Sequence, residues 1–427
     1  MQIKKRLLPS EFTKNTMVLI AGTVVAQAIP LLLHPFLRRI YSAEDFGAMA
    51  VFLSLFSMIT IVAAFRYEST IVLPKNDNEA ANILGLTFLI NLCFNAIILL
   101  VLVFLKAEIV TLIGFPLKYA NYLYFLPFTS FLFCAYQSMN YWLIRQKAFK
   151  ASSFNKIVRR TAEGIVQVIL GVLKFPGGLF VGDFIGNFSN VISGIRQVFK
   201  NKFNNVFVSK RKMGFVAKKY IDYPKFNLLP TLLSSAATLL PFLFINKLYS
   251  TEIVGYLDLS RMVLSIPLIF ISTTISQVLF QKITENKHQQ TSILIELRNI
   301  FFLLLSIIFI EVILLYFFGD FLFGLIFGAE YVLSSTFSKI LIVSFSLNFI
   351  SSTFSSIFIT FDKIRLNGIW QVAYFLSICS LLLFKDISIE SFLKIYVTIE
   401  AILLSVNIIF IFFIVKKYET EIKEIKA

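Results

Sequence analysis

Of the 427 residues, 57% are hydrophobic and only 15% are charged, where soluble domains run at about 45–50% and about 25%. A soluble core cannot bury that excess, so the chain is a membrane protein and its length sets no domain count. The net charge of +16 does not make it a nucleic-acid binder, because the basic residues lie in short interhelical loops, where membrane proteins collect them.

The chain opens with Lys4, Lys5 and Arg6 ahead of an apolar stretch over 16–37. That order resembles a signal peptide, but the stretch exceeds the roughly 7–15 residues of such a core and contains Pro30 and Pro35. More apolar stretches follow at once, so it is read as a retained first helix. The others run over 46–66, 80–105, 119–144, 160–174, 179–199, 226–247, 254–280, 299–318, 335–360, 366–384 and 392–415, twelve in all. Most are near the 20 or so residues that cross about 30 Å of hydrocarbon. The fifth is the weakest, with Arg159, Arg160 and Glu163 crowding its start. None alternates as a barrel strand does. The expected fold is an all-α polytopic membrane protein of about twelve transmembrane helices. Cys93, Cys134 and Cys379 sit in apolar runs without paired spacing; they read as small core residues and point to no disulfide or metal site.

Lys and Arg set the orientation. The N-terminus, the even-numbered loops and the C-terminus hold 30 of them, the odd-numbered loops 8. Positive charge stays inside, which places both termini in the cytoplasm.

The longest loop, 196–225, is also the most basic, and it separates six spans from six. The expected division is an N-terminal six-helix lobe over 1–200, a basic cytoplasmic linker over 201–225 and a C-terminal six-helix lobe over 226–427. The linker alternates apolar and basic residues, which suits either a helix on the anionic inner leaflet or a solvated connection. The halves share a signature. Arg39-Ile40-Tyr41-Ser42-x-Glu44-x-x-Gly47 follows the first span, and Lys247-Leu248-Tyr249-Ser250-x-Glu252-x-x-Gly255 follows the seventh, at a constant offset of 208. Six intervening helices give the two copies the same orientation, as a parallel repeat requires. Two-lobe transporters bind substrate between lobes near the midplane.

The stretch PFLRRIYSAEDFGAMAVFLSLFSMITIVAAFRYESTIVLPK resembles the opening of the Wzx-type polysaccharide flippases. YIDYPKFNLLPTLLSSAATLLPFLFINKLYSTEIVGYLDLSRMVLSIPL resembles their seventh and eighth helices, with Pro241 inside the former and Gly-Tyr-x-x-x-x-Arg opening the latter. LFGAEYVLSSTFSKIL resembles the start of their tenth. These flippases belong to the multidrug/oligosaccharidyl-lipid/polysaccharide exporter superfamily, together with multidrug antiporters and the lipid II flippase. The resemblance spans nearly the whole chain. It implies a twelve-helix, two-lobe, alternating-access carrier whose cargo is an undecaprenyl-diphosphate-linked oligosaccharide of O-antigen or capsule type, in a bacterial plasma membrane. Cavity residues vary across the family, and only the eighth-helix arginine, Arg261, carries over.

A charge at the bilayer centre costs about 2.5–3.5 kcal/mol on insertion scales, so each one needs a reason. A diphosphate supplies one, because the arginine fork binds phosphate oxygens bidentately. Arg261 either holds the diphosphate or neutralises Asp258 three residues earlier. Arg38 and Arg39 end the first span on the outer side, and Lys247 is the repeat equivalent of Arg39; they hold cargo or snorkel to headgroups. Arg66 pairs with Glu68 at the cytoplasmic end of the second span or guards an entrance. Glu311 stands in mid-span without a local cation; it is a candidate with Asp258 for coupling to a proton or Na⁺, or is held neutral by its surroundings. Glu400 and Asp183 are weaker versions of the same case. His34, between two prolines, reads as filling a kink.

No phosphate-binding GxxxxGK[ST] loop is present, so ATP hydrolysis has no support and no cofactor is expected. Moving one charge through 100 mV yields about 2.3 kcal/mol, so a dianionic cargo leaving a negative interior gains at most about twice that, less whatever mobile arginine side chains neutralise. Membrane lipids and other polysaccharide assembly proteins are the expected partners. The competing readings are a multidrug or cation antiporter of the same superfamily, and a membrane polysaccharide polymerase or glycosyltransferase. The short odd-numbered loops and the presence of only two histidines argue against an enzyme.

Overall fold

The structure, a computed structural model, describes residues 11–203 and 208–426; Lys4, Lys5 and Arg6 lie outside the described residues. Among the described residues there are fourteen α-helices and no strand. Six precede the basic loop: α1 (Glu11–Ile40), α2 (Ala43–Ala63), α3 (Asp77–Ile113), α4 (Phe125–Arg145), α5 (Phe149–Val172) and α6 (Gly178–Lys200). Then come α7 (Lys210–Lys219), α8 (Asp222–Leu248), α9 (Thr251–Gln289), α10 (Leu294–Phe327), α11 (Val332–Phe354), α12 (Ser356–Thr360), α13 (Ile364–Cys379) and α14 (Ile389–Lys426). Leaving out α7 and the short α12, twelve helices remain, and each contains most or all of one expected span.

Eight of them are apolar and long enough to cross a membrane by length and composition alone: α2, α3, α8, α9, α10, α11, α13 and α14. Of the other four, α1, α4, α5 and α6, the last three fall short because their polar residues turn inward, onto one another. Asn155 of α5 and Asp183, Asn187 and Asn190 of α6 are all buried. The fifth span is therefore a full helix that starts at Phe149, and Arg159, Arg160 and Glu163 sit in its middle.

Helix starts follow local chemistry. Ser42 caps α2 in a reciprocal box, its hydroxyl accepting from Asp45 N at 3.2 Å while Asp45 Oδ2 accepts from Ser42 N at 2.8 Å. The repeat partner Ser250 caps α9, accepting from Ile253 N at 3.2 Å. α3 is kinked at Leu105 and stops at Gly114, whose φ of 68° suits glycine.

The chain divides into two compact units, Met1–Ser235 and Ala236–Ala427. In the first, α5 packs on α6, α4 on α6, α3 on α4 and α2 on α4. In the second, α13 packs on α14, α11 on α14, α10 on α11 and α9 on α11. These four pairings recur in the same order in both units, as a parallel repeat demands, while the packing of α1 on α5 belongs to the first unit's set alone among the described pairs.

Lipid gives little hydrophobic drive for helices to associate, so close approach through small residues matters. Gly178, Gly182 and Gly186 recur every fourth residue along α6. A Cβ on Gly182 would stand 2.3 Å from Gln167 Cγ, and one on Gly186 would stand 2.8 Å from Glu163 Cβ. Glycine is what lets α5 lie against α6. Of the cysteines, Cys134 is buried as expected, whereas Cys93 is exposed on the outside of α3.

Much of the 196–225 stretch is helical. α7 docks on α3 with Val216 buried, Tyr67 Oη donating to Ala217 O at 2.8 Å, Ser209 N to Asn82 Oδ1 at 2.9 Å and Lys219 Nζ to Glu79 Oε1 at 2.5 Å. The basic segment is therefore fixed to the first unit through α3.

Candidate functional site

Within the first unit, α1, α4, α5 and α6 enclose a polar chamber of about 180 Å³. α1 contributes Thr23 and Gln27, α4 Gln137 and Asn140, α5 Lys156, Arg159 and Arg160, and α6 Asn190. One face of α5 carries all three cations, since positions three and four apart share a helical face. Lys156 Nζ donates to Thr23 Oγ1 at 2.9 Å. Arg160 bridges Glu163 at 2.9 Å, and Arg159 reaches Asp183 at 3.4 Å while lying over the Phe133 ring at 5.3 Å.

Three cations against two carboxylates leave this cluster with a formal excess of one positive charge. Its hydrogen bonding is incomplete. Asp183 Oδ1 accepts from Asn187 Nδ2 at 3.2 Å, but Asp183 Oδ2 has no partner among the described residues. The same holds for Arg159 Nε, Asn155 Nδ2, Asn187 Oδ1 and Asn190 Oδ1. Buried polar groups are ordinarily paired. Guanidinium and amide groups gathered in this way suit an anion flanked by hydroxyls.

The sequence-predicted residues fall in several places. Arg38 is fully buried, its guanidinium carbon 3.6 Å from the Phe46 ring centroid, so it stacks inside the bundle and does not snorkel. Arg39, next to it, is exposed. His34 lies within electrostatic range of both Arg38 and Arg160. Arg66 pairs with Glu68 at 3.5 Å, in a turn where Arg66 itself takes a φ of 63°.

In the second unit Lys247 is exposed in the last turn of α8. Arg261 lies 5.1 Å from the Phe242 ring and within range of a buried carboxylate, Glu400. Glu400 is held by the hydroxyls of Ser344 and Tyr374, with Tyr396 nearby. One polar ladder joins α11 to α14, because Ser351 Oγ donates to Asn407 Oδ1 at 2.9 Å two turns further on. Asp258 is half-buried on α9. Glu311, on α10, has Oε2 buried without a hydrogen-bond partner among the described residues.

Sequence reasoning missed the chamber. The expected fifth span, 160–174, leaves Lys156 and Arg159 ahead of it and Arg160 at its edge, because a hydropathy run counts residues and ignores faces. The available signal was the four-residue spacing of Lys156 and Arg160 on a segment with a strongly amphipathic pattern.

None of the curated proteins matches this chain in sequence. Among solved structures it is similar to a multidrug resistance MATE-family transporter of the MOP superfamily in an inward-facing conformation, with a TM-score of 0.72 and 13% identity over 93% of this chain and 99% of that one. It is also similar to the lipid II flippase MurJ in an inward closed conformation, with a TM-score of 0.72 and 14% identity over 94% and 90%. A MOP-superfamily transporter from Pyrococcus furiosus gives a TM-score of 0.59 and 12% identity over 94% and 95%. At these identities the likeness is one of fold. The family model described as "Polysaccharide biosynthesis protein" matches residues 36–336, in agreement with the resemblance read from the sequence. With most of its length inside that match, the chain belongs to the polysaccharide biosynthesis protein family.

Proposed function

We propose that the protein is a flippase that carries an undecaprenyl-diphosphate-linked oligosaccharide repeat unit, of O-antigen or capsule type, from the inner to the outer leaflet of a bacterial plasma membrane. Both termini face the cytoplasm in this reading. The protein makes and breaks no covalent bond and needs no cofactor; its work is binding, reorientation and release by alternating access.

The observation that carries the reading is the chamber of the first unit. Arg159 offers a planar fork to diphosphate oxygens, with Lys156 and Arg160 adding charge beside it. The chamber's lining amides, Gln27, Gln137, Asn140 and Asn190, provide donors and acceptors for sugar hydroxyls. A cavity for cationic drugs calls for the opposite charge, which sets the antiporter second. In the second unit, Arg261 is the candidate phosphate contact, and Asp258 and Glu311 are candidates for a coupling proton or Na⁺.

Deletion of the gene, followed by analysis of lipid-linked intermediates, tests the function. Undecaprenyl-linked repeat units should accumulate on the inner leaflet while surface glycan disappears. Unchanged glycan together with lost drug resistance would replace the flippase by the antiporter.

A further inference from the structure

The second unit contains a larger recess, of about 500 Å³, away from Arg261 and Glu400. It opens where α9 ends, α13 begins and α14 leaves its apolar stretch. Phe361, Leu366, Phe410 and Phe413 line it, and Lys287, Lys363 and Lys417 stand around it. We propose that this recess binds one anionic glycerophospholipid, with its phosphate among the three lysines and an acyl chain along Phe410 and Phe413.

Placement comes first. The three lysines follow or precede the apolar stretches 254–280, 366–384 and 392–415, at ends that the alternating helix direction brings to one membrane surface. Phe410 and Phe413 lie inside the last of these stretches, and Phe413 is 58% exposed. Ring and ammonium thus straddle the boundary between hydrocarbon and headgroups, where basic pockets between helices take lipid phosphates. The volume suits a headgroup and the upper part of a chain, since ligand sites run at about 300–1,000 Å³.

Charge comes second. Lys287 pairs with Asp362 at 3.5 Å and donates to the Thr360 carbonyl. Lys417 reaches Glu421 at 4.0 Å, with both side chains more than half exposed, a geometry worth little by itself. Three lysines against two carboxylates leave one positive charge, which matches a singly charged phosphatidylglycerol and not a zwitterion.

Rigidity comes third. Tyr418 Oη donates to the carbonyls of Asn286 and Thr291, both at 3.1 Å. Glu419 Oε1 accepts from Ile293 N at 2.8 Å and from Ser292 Oγ at 3.0 Å. α14 is thereby tied to the α9–α10 turn, and the recess is a built feature of the unit.

The test uses the full chain in detergent with equal amounts of dioleoyl phosphatidylglycerol and dioleoyl phosphatidylethanolamine, read by native mass spectrometry. Phosphatidylglycerol should be retained in preference, and Lys363→Gln/Lys417→Gln should lower that preference by about fivefold for each charge. Equal retention of both lipids by the unaltered protein would overturn the proposal, as would an unchanged preference in the double variant. A second variant keeps the lysines: Phe413→Trp should gain fluorescence that phosphatidylglycerol with brominated chains quenches, and unlabelled phosphatidylethanolamine should not relieve the quenching. Absence of quenching refutes the groove. Displacement of phosphatidylglycerol by an equal amount of undecaprenyl phosphate would assign the recess to an isoprenoid lipid and refute the phospholipid.

Discussion

The Tyr41 hydroxyl donates to the backbone carbonyl of Gln167 at 2.8 Å. Its repeat partner Tyr249 also donates to a backbone carbonyl of its own unit, that of Ile387 at 3.0 Å, in the connection ahead of α14 and not at the position equivalent to Gln167. In each unit the tyrosine that closes one helix, just ahead of a capping serine, ties it to the last helix pair of the same unit. Tyr41→Phe should cost about 0.5–1.5 kcal/mol, the usual net worth of one such bond. Tyr249→Phe should cost a similar amount. Thermal unfolding of the purified variants in detergent measures both, and loss from only one would show that the shared signature does not do the same work twice.

Gly182 faces Gln167 at the closest approach of α5 and α6. Gly182→Leu should destabilise by about 1–3 kcal/mol through overpacking, or more if the helices separate, and should abolish export by moving Arg159 and Asp183 apart. Gly214→Ala, with open space around it, should leave stability and export unchanged. Melting temperature and surface glycan at matched expression are the two readouts.

The outline of the fold was legible because lipid imposes it. Twelve apolar runs became twelve helices, and the Tyr-Ser-x-Glu-x-x-Gly signature became two capped helix starts, each behind a tyrosine bonded to a backbone carbonyl of its own unit. The chamber was not legible for the converse reason. Residues that face an interior cavity are polar, so α5 loses the hydropathy by which a span is recognised, and its cations look like loop residues. The Arg66–Glu68 pair could be read from spacing alone. The setting of Arg261 could not, since Phe242, Tyr374, Tyr396 and Glu400 come from three other helices, two of them far along the chain. α7 shows a third case: its alternation allowed both a helix and a linker, and the hydrogen bonds to Asn82 and Glu79 that settle it as a helix lie more than a hundred residues away.

Orientation has its own test. A cysteine placed at Lys210, in the first turn of α7, should be labelled only from the cytoplasmic side in a Cys93→Ala/Cys134→Ala/Cys379→Ala background. Labelling by a membrane-impermeant reagent in whole cells would reverse the orientation of the entire protein and the direction of the proposed transport.

Arg159 and Asp183 form a pair whose acidic side chain is 2% exposed. Arg159→Ala should abolish surface glycan and also destabilise, because it leaves a buried carboxylate with less compensation; breaking such a pair costs about 3–5 kcal/mol. Asp183→Asn beside Arg159→Ala should restore much of the folding and none of the export. Arg159→Lys should keep part of the activity, since an ammonium replaces the fork. Restored export in the Arg159→Ala/Asp183→Asn variant would show that Arg159 serves structure only.

Arg261 poses the same question in the second unit, with more neighbours to separate. Its guanidinium lies near Phe242 and Glu400, and Asp258 stands three residues earlier on the same helix. If Arg261 holds the cargo phosphate, Arg261→Ala should abolish glycan export while the protein remains inserted and abundant, and Arg261→Lys should retain part of it. If Arg261 is there to neutralise Asp258, the Asp258→Ala/Arg261→Ala variant should export better than Arg261→Ala, because no lone charge remains. If it steadies Glu400, Glu400→Gln/Arg261→Ala should be the milder pair instead. A phosphate-binding role predicts that neither double variant exports, whatever stability each regains. Export assayed at matched abundance, with melting temperatures taken alongside, separates the three roles. Full export from the Asp258→Ala/Arg261→Ala variant would remove Arg261 from the binding site.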